Sequence, residues 1–189
     1  MSEMMEHPAW IMWEEALSEE IVNEIIEAAK EAEPQAASTF RTGEGKEDSH
    51  RKTQIRWLQD EKYKPLTEQM MWYVEKANEH FDVEVSYLPP LQFTEYKDIG
   101  YHYGMHHDID WNRQDGMHRK ISVVVQLSDP KDYKGGELTF SHTQNPDPIA
   151  LAKKGTVICF LSYFEHAVAP ITKGSRTSLV GWAEGPRWS

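Results

Sequence analysis

From Leu91 to Ala183 the chain runs through seven short strand-like stretches: LQFTEYK, YHYGMHHD, KISVVVQL, GELTF, GTVICFL, HAVAPI and RTSLVGWA. They are rich in β-branched and aromatic residues, and several alternate apolar with polar side chains, the period of a half-buried strand. The breaks between them, DPKDYKGG, NPDP, KKG and TKG, are turn chemistry, in which proline fixes φ and glycine, asparagine or aspartate takes up conformations that a strand excludes. Many short strands without helices between them bury their apolar faces as a sandwich or barrel.

Ahead of Pro89 and Pro90 the texture differs. In SEEIVNEIIEAAKEA, Ile21, Val22, Ile25, Ile26 and Ala29 recur at helical spacing. Ser18 suits the N-cap, and Glu19 and Glu20 suit the positive end of the helix dipole. A second helix is expected from Pro65, a favoured first-turn residue, to about Phe81. Residues 38–53, STFRTGEGKEDSHRKT, carry charge and glycine without a period. They are expected to form a loop, placed where a lid over a site would be. The expectation is one domain over 1–189, mainly β with flanking helices. Residues 1–88 would be mostly helical support, packed on a jelly-roll core over 89–184.

Composition narrows the classes of partner. The chain has 189 residues and a net charge of −11, from 31 acids and 20 bases. A polyanion would be repelled on average, so nucleic acid is not an expected partner, and cationic or neutral substrates suit better. No apolar run approaches the roughly 20 residues of a membrane helix. The start, MSEMMEHPAW, is acidic and lacks the basic-then-apolar order of a secretory signal. Cys159 is the single cysteine, so no internal disulfide forms and a cytoplasmic setting is expected. No sequence feature bears on oligomeric state.

The chemistry concentrates in GYHYGMHHDIDW, residues 100–111, which holds His102, His106, His107, Asp108 and Asp110. On a strand, residues two apart face the same way, so His106 and Asp108 can reach one ion while His107 points away. His102 lies about 13 Å from His106 along a strand, and Asp110 lies towards the strand end. A lone His-x-Asp is weak evidence, because chance supplies about half a match in a chain of this composition. A second copy, His80-Phe81-Asp82, falls at a helix end, where residues two apart diverge by about 200°. The signal sharpens with His166, in a later strand, and Arg176, ten residues further on. An arginine on an apolar strand calls for a carboxylate partner, because its planar fork pairs bidentately and burying it unpaired is costly. Two histidines and a carboxylate on one face of iron leave the other positions open. His142, in FSHTQNPDP, reads as a loop residue, with shaping of an entrance the lesser alternative.

This ordered set resembles the 2-oxoglutarate- and Fe(II)-dependent dioxygenases, in their prolyl 4-hydroxylase-like branch. The resemblance runs over roughly residues 90–184 through QFTEYKDIGYHYGMHHD, RKISVVVQLSDP, GGEL, FLSYFEHAVAPITKGSR and Trp182. It implies a double-stranded β-helix, which is a jelly-roll variant. It further implies His106, Asp108 and His166 as the metal ligands and catalytic centre, and Arg176 as the partner of the far carboxylate of 2-oxoglutarate. Tyr96 falls at the place of a cosubstrate-binding tyrosine, and Gln126 stands where some relatives use a second tyrosine for that purpose. Trp182 matches an aromatic placed against the target proline, and Arg119 a substrate-contacting arginine. Nucleic-acid demethylases carry another arginine where this chain has Trp182. The implied cofactors are Fe(II), 2-oxoglutarate and O2, with ascorbate as reductant.

Three functions follow from these residues. The first is hydroxylation of a prolyl residue in a protein or peptide, with release of succinate and CO2. The second is the same chemistry on a free amino acid or other small molecule. The third is a non-catalytic jelly-roll module, against which the open three-ligand set argues, since structural zinc sites are usually closed by four ligands.

Overall fold

A computed structural model describes residues 8–37 and 49–188. The elements in chain order are β1 (Trp10–Trp13), α1 (Glu19–Lys30), β2 (Gln35–Ala36), β3 (Arg51–Lys52), β4 (Gln54–Leu58) and α2 (Lys64–Phe81). There follow β5 (Leu91–Tyr96), β6 (His102–His106), β7 (Met117–Gln126), β8 (Lys134–Gly135), β9 (Leu138–Phe140) and α3 (Pro148–Ala152). The last four are β10 (Val157–Leu161), β11 (His166–Val168), β12 (Ile171–Lys173) and β13 (Arg176–Pro186). Seven strands form one sheet in the order β1-β10-β7-β13-β5-β4-β2, and four form a second in the order β3-β6-β11-β9. Strands β12 and β8 pair separately. The pairing within each sheet is antiparallel. The result is the mainly β jelly roll with flanking helices that the strand pattern implied.

Period-2 alternation explains how the large sheet serves two cores. In β7, Ile121, Val123 and Val125 face the helices and join a core with Val22, Ile25 and Val74. The intervening Ser122, Val124 and Gln126 are also buried, and Val124 belongs to a second core between the two sheets, with Phe140, Phe160 and Val168. Strand β5 divides in the same way, with Leu91 and Phe93 towards the helices and Gln92, Thr94 and Tyr96 inward. A sheet covered on both faces therefore reads as nearly continuous apolar runs, interrupted only where polar groups line the interior.

The helices form for the reasons given by their sequences. The Ser18 hydroxyl accepts a hydrogen bond from the Ile21 N–H at 3.3 Å, and Pro65 lies in the first turn of α2. Asp82 closes α2 in a left-handed conformation, φ 49°, so the second His-x-Asp is a helix cap. Among the described residues, no helix is long and apolar enough to cross a membrane. Cys159 is buried, and burial pushes its thiol pKa far up.

Four local expectations are corrected. The first eighty residues are less helical than read, because β1, β2, β3 and β4 lie there. HAVAPI is two strands in different sheets. The aspartate of NPDP starts a helix, its carboxylate accepting from the N–H groups of Ile149 and Ala150. The loop read over 38–53 ends early, since 51–52 pair with β6; residues 38–48, and with them most of the lid reading, lie outside the described residues.

A partly buried ion pair ties the β6–β7 connection to the end of β13. Arg113 donates to both oxygens of Glu184, at 2.6 and 2.7 Å, and the Tyr87 hydroxyl donates to the same carboxylate at 2.8 Å. Burial raises the Glu184 pKa, but hydrogen bonds from Arg113 and Tyr87 outweigh it, and the group titrates below its ordinary value. A depressed carboxylate stabilises the fold above its unfolded pKa and loses that contribution as pH falls through the lower folded value. Glu184→Gln is expected to cost about 2 kcal/mol, a buried-pair penalty reduced because Arg113 keeps some solvent. The Tm should fall by about 4–8 °C at pH 7, and thermal melts should show the gap to the parent protein closing at acid pH.

Candidate metal centre

The cavity between the two sheets is lined by one parity of each strand: Gln92, Thr94 and Tyr96 from β5, and Arg176, Ser178, Val180 and Trp182 from β13. Across from them stand His106, Asp108 and His166. Its volume is about 40 Å3, room for about three waters. A larger cavity of about 780 Å3 lies on the outer side of Arg176, against the 129–137 turn and α3. The donor groups converge in the small one, and the chemistry belongs there.

His106 and His166 are register partners on the neighbouring strands β6 and β11, so sixty residues of chain separate two rings whose centroids are 4.3 Å apart. Their tautomers are fixed by the backbone. Each Nδ1 lies against the carbonyl oxygen two residues earlier, Gly104 at 2.8 Å and Phe164 at 2.9 Å. A carbonyl only accepts, so Nδ1 carries the proton and Nε2 presents its lone pair. The Asp108 carboxylate lies 3.4 Å from Nε2 of His106 and 3.5 Å from Nε2 of His166. One ligand atom from each of the three residues falls within 4.8 Å of the others.

Asp108 is not on the strand that supplies His106, because β6 ends at His106. Strand parity is therefore not what aims it. Its N–H donates to the Ser162 carbonyl at 2.9 Å, and the Ser122 hydroxyl donates to Oδ2 at 2.6 Å. Ser162 Oγ lies 2.9 Å from Ser122 Oγ; since the Ser122 proton is committed to Asp108, Ser162 is the donor. Burial would raise the Asp108 pKa, but His166, His106 and Arg119 outweigh it and hold the carboxylate ionised well below its usual range. Burial lowers the His166 pKa, which favours the neutral imidazole. Ionised carboxylate and neutral imidazoles are the forms that bind a metal. Ser122→Ala, by releasing the Asp108 oxygen, is expected to weaken Fe(II) binding about 10–100-fold, as anaerobic calorimetry would measure.

Arg176 is 2% exposed and sits opposite Tyr96 in the β13–β5 register, its guanidinium 5.2 Å from the Tyr96 ring centroid. Nη2 donates to Gln126 Oε1 at 2.8 Å, while Nη1 is buried without a hydrogen-bond partner. A buried orphan N–H on a cation calls for an acceptor, and a carboxylate is the strongest one. Gly136, at φ +69°, permits this close packing, because a Cβ there would lie 3.0 Å from Arg176 Cδ and 2.7 Å from Ile171 Cδ1. Trp182 borders the same cavity, and the Arg119 guanidinium carbon lies 4.0 Å from its ring centroid.

The remaining sequence candidates lie outside the triad. Both ring nitrogens of His102 face backbone carbonyls, of Gly100 and Ser49. Asp110 accepts from the Asn112 N–H at 3.0 Å, and His107 lines an outer groove. His142 is on the surface, 3.8 Å from Glu165. Residues that the sequence did not single out also enter the cavity. Tyr103 stacks on His106 at 3.4 Å between centroids, its pKa pushed up to about 12 by burial. The Arg51 guanidinium lies over Tyr103 at 4.4 Å and donates to Gln92 Oε1 at 2.9 Å. Ser122 carried a signal, as a hydroxyl inside the apolar run of KISVVVQL.

The chain is a member of the 2OG-Fe(II) oxygenase superfamily, whose family model matches residues 91–184. A PKHD-type hydroxylase of Idiomarina loihiensis is 33% identical over 85 residues, covering 45% of this chain and 38% of that protein. One from Synechococcus is 39% identical over 87 residues, covering 46% and 38%. The match thus spans well under half the length of these curated relatives. Among solved structures, a Pseudomonas putida prolyl-4-hydroxylase superposes with a TM-score of 0.70 at 21% identity, over 96% of this chain and 94% of that one. A Trichoplax adhaerens prolyl hydroxylase, solved in complex with a hypoxia inducible factor peptide fragment, superposes with a TM-score of 0.72 at 16% identity, over 93% and 83%. At these identities the likeness is one of fold.

Proposed function

We propose that the protein is an Fe(II)- and 2-oxoglutarate-dependent dioxygenase that hydroxylates prolyl residues of a protein or peptide, releasing succinate and CO2. The observation that carries this reading is the convergence of two imidazole Nε2 atoms and an ionised carboxylate on one side of a cavity that also receives the orphan N–H of Arg176. The hydroxylase relatives support the same reading. Iron with 2-oxoglutarate and O2 supplies oxidising power that no side chain has.

In this reading His106, Asp108 and His166 hold the metal and leave its remaining positions open. Arg176 takes the far carboxylate of 2-oxoglutarate on Nη1, and Gln126 holds the guanidinium in plane through Nη2. Tyr96, its phenol kept neutral chiefly by burial, remains a hydrogen-bond donor beside that carboxylate. Trp182 forms the wall against which the target ring packs, and Arg119 fixes the indole from behind. The apolar members of the cavity, Val124, Leu138, Val168 and Val180, exclude water from the reacting atoms. With its one thiol buried, the protein suits a reducing cytoplasm, where ascorbate or another reductant sustains the ferrous form.

The test is to incubate the protein with Fe(II), ascorbate, 2-oxoglutarate and proline-containing peptides, with free proline in parallel. Succinate release and a peptide mass gain of one oxygen are expected. No succinate with any metal would sink the proposal, and oxidation of free proline alone would move the substrate to a small molecule.

A further inference from the structure

Tyr103 and His106 line the inner cavity and also a second, outer one of about 260 Å3. The outer groove therefore begins where the metal cavity ends. Its other walls include Met105 and Trp111, 42% and 48% exposed. Single exposed apolar residues are ordinary, but these two flank a shared groove beside the triad, and Trp111 is not loosely held. Its ring meets His118 edge-on at 5.3 Å. The chain around it is fixed by the Asn112 N–H on Asp110, by the Met117 N–H on Asp115 and by the Arg113 fork on Glu184. A half-exposed indole on a pinned loop is an anchor already ordered, so a ligand that covers it loses little further conformational entropy.

Charge decides what would cover it. Among the described residues that line it, the groove contains the carboxylates of Asp110 and Glu165, the imidazoles of His50, His106 and His107, and no lysine or arginine, in a chain of net charge −11. The polar neighbours at Glu165 are the exposed His142, 3.8 Å away, and the Ser141 hydroxyl at 3.1 Å, neither of which lines the groove. An indole face and two carboxylates favour a cation with an aliphatic stem. We propose that this groove docks the part of the substrate next to the hydroxylated residue and that this part is basic. A lysine or arginine lies on Trp111 with its charge shared by Asp110 and Glu165. This rests on the peptide-hydroxylase reading and deepens it by naming a substrate class.

The experiment uses three labelled proline-containing peptides, identical except that the residues flanking the proline are Lys, Gln or Glu. Their affinity for the full chain is read by fluorescence anisotropy, and their hydroxylation by mass spectrometry. The Lys peptide is expected to bind about tenfold more tightly than the Gln peptide, and the Glu peptide most weakly. The Lys preference should shrink as salt rises. In the Asp110→Asn/Glu165→Gln double variant the Lys-to-Gln ratio should collapse towards one, with circular dichroism and melting checked against the parent. Trp111→Ala should weaken the Lys peptide, and Trp111→Phe should restore much of the loss. Equal binding of all three peptides, or preference for Glu, overturns the inference while leaving the hydroxylase reading intact if any peptide gains oxygen. Selective binding of the Lys peptide without oxygen transfer or succinate retains the docking surface and removes the hydroxylase reading.

Discussion

Asp108→Ala should leave a folded protein that no longer retains Fe(II) and no longer converts 2-oxoglutarate to succinate. Two effects act together. Deletion removes the only carboxylate of the triad, leaving two imidazoles whose Nε2 atoms would meet a dication without charge compensation. It also removes the acceptor of the Ser122 hydroxyl, which in turn accepts from Ser162, so the buried hydroxyl pair loses the carboxylate at its end. Loss of an outer-shell partner costs about 10–100-fold in metal affinity, and a ligand costs more, so a loss of about 1,000-fold or greater is expected. Anaerobic calorimetry with Fe(II) reads the binding, and succinate release reads the turnover. Asp108→Glu separates charge from reach. It keeps the carboxylate but moves it by one methylene in a site where Asp108 is 5% exposed, and it should bind metal more weakly than the parent and turn over slowly. Retention of Fe(II) at parental affinity by Asp108→Ala would exclude this triad as the metal site.

Arg176→Leu should produce a different phenotype, with metal binding kept and 2-oxoglutarate binding lost. In the proposed reading Arg176 meets the cosubstrate, and its side-chain hydrogen bond goes to Gln126 rather than to a metal ligand. A charge-assisted hydrogen bond contributes roughly 1.5–3 kcal/mol. With the charge itself added, the KM for 2-oxoglutarate should rise by about 100-fold or more, at about 1.4 kcal/mol for each factor of ten. Arg176→Lys keeps the charge but loses the fork and the contact with Gln126, and an intermediate rise of roughly tenfold is expected. Gln126→Leu frees Nη2 and should act through Arg176, raising KM modestly while Fe(II) affinity stays constant. If Arg176→Leu left the KM unchanged, the orphan Nη1 would need another acceptor, and the larger cavity on its outer side would be the place to seek it.

The parts of this site that could be read from the sequence are those carried by strand parity. RTSLVGW alternates so that Arg176, Ser178, Val180 and Trp182 share one face, and the polar residues scattered through otherwise apolar strands mark the interior face. Strand β4 escaped that reading because its stretch, RKTQIRWL, is heavily charged. In the fold those charges are absorbed by distant partners. Arg56 pairs with Glu95 at 3.1 Å and donates to the Ala32 carbonyl at 2.6 Å, while Arg51 turns inward over Tyr103. A local pattern cannot show that a charge will meet its partner forty residues away.

The sequence by itself determined the Ser18 cap of α1, the alternation that sets the inward face of β13 and the donor types in the site. Only the tertiary structure decided that His106 lies opposite His166, that Asp108 leaves its strand to be aimed by Ser122 and Ser162, and that Trp111 stands half-exposed on a loop pinned by Glu184. The physical reason is that alternation is a property of one strand, whereas register belongs to a pair. The ladder hydrogen bonds of β6 with β11 fix which histidine meets which, and neither strand carries that information alone.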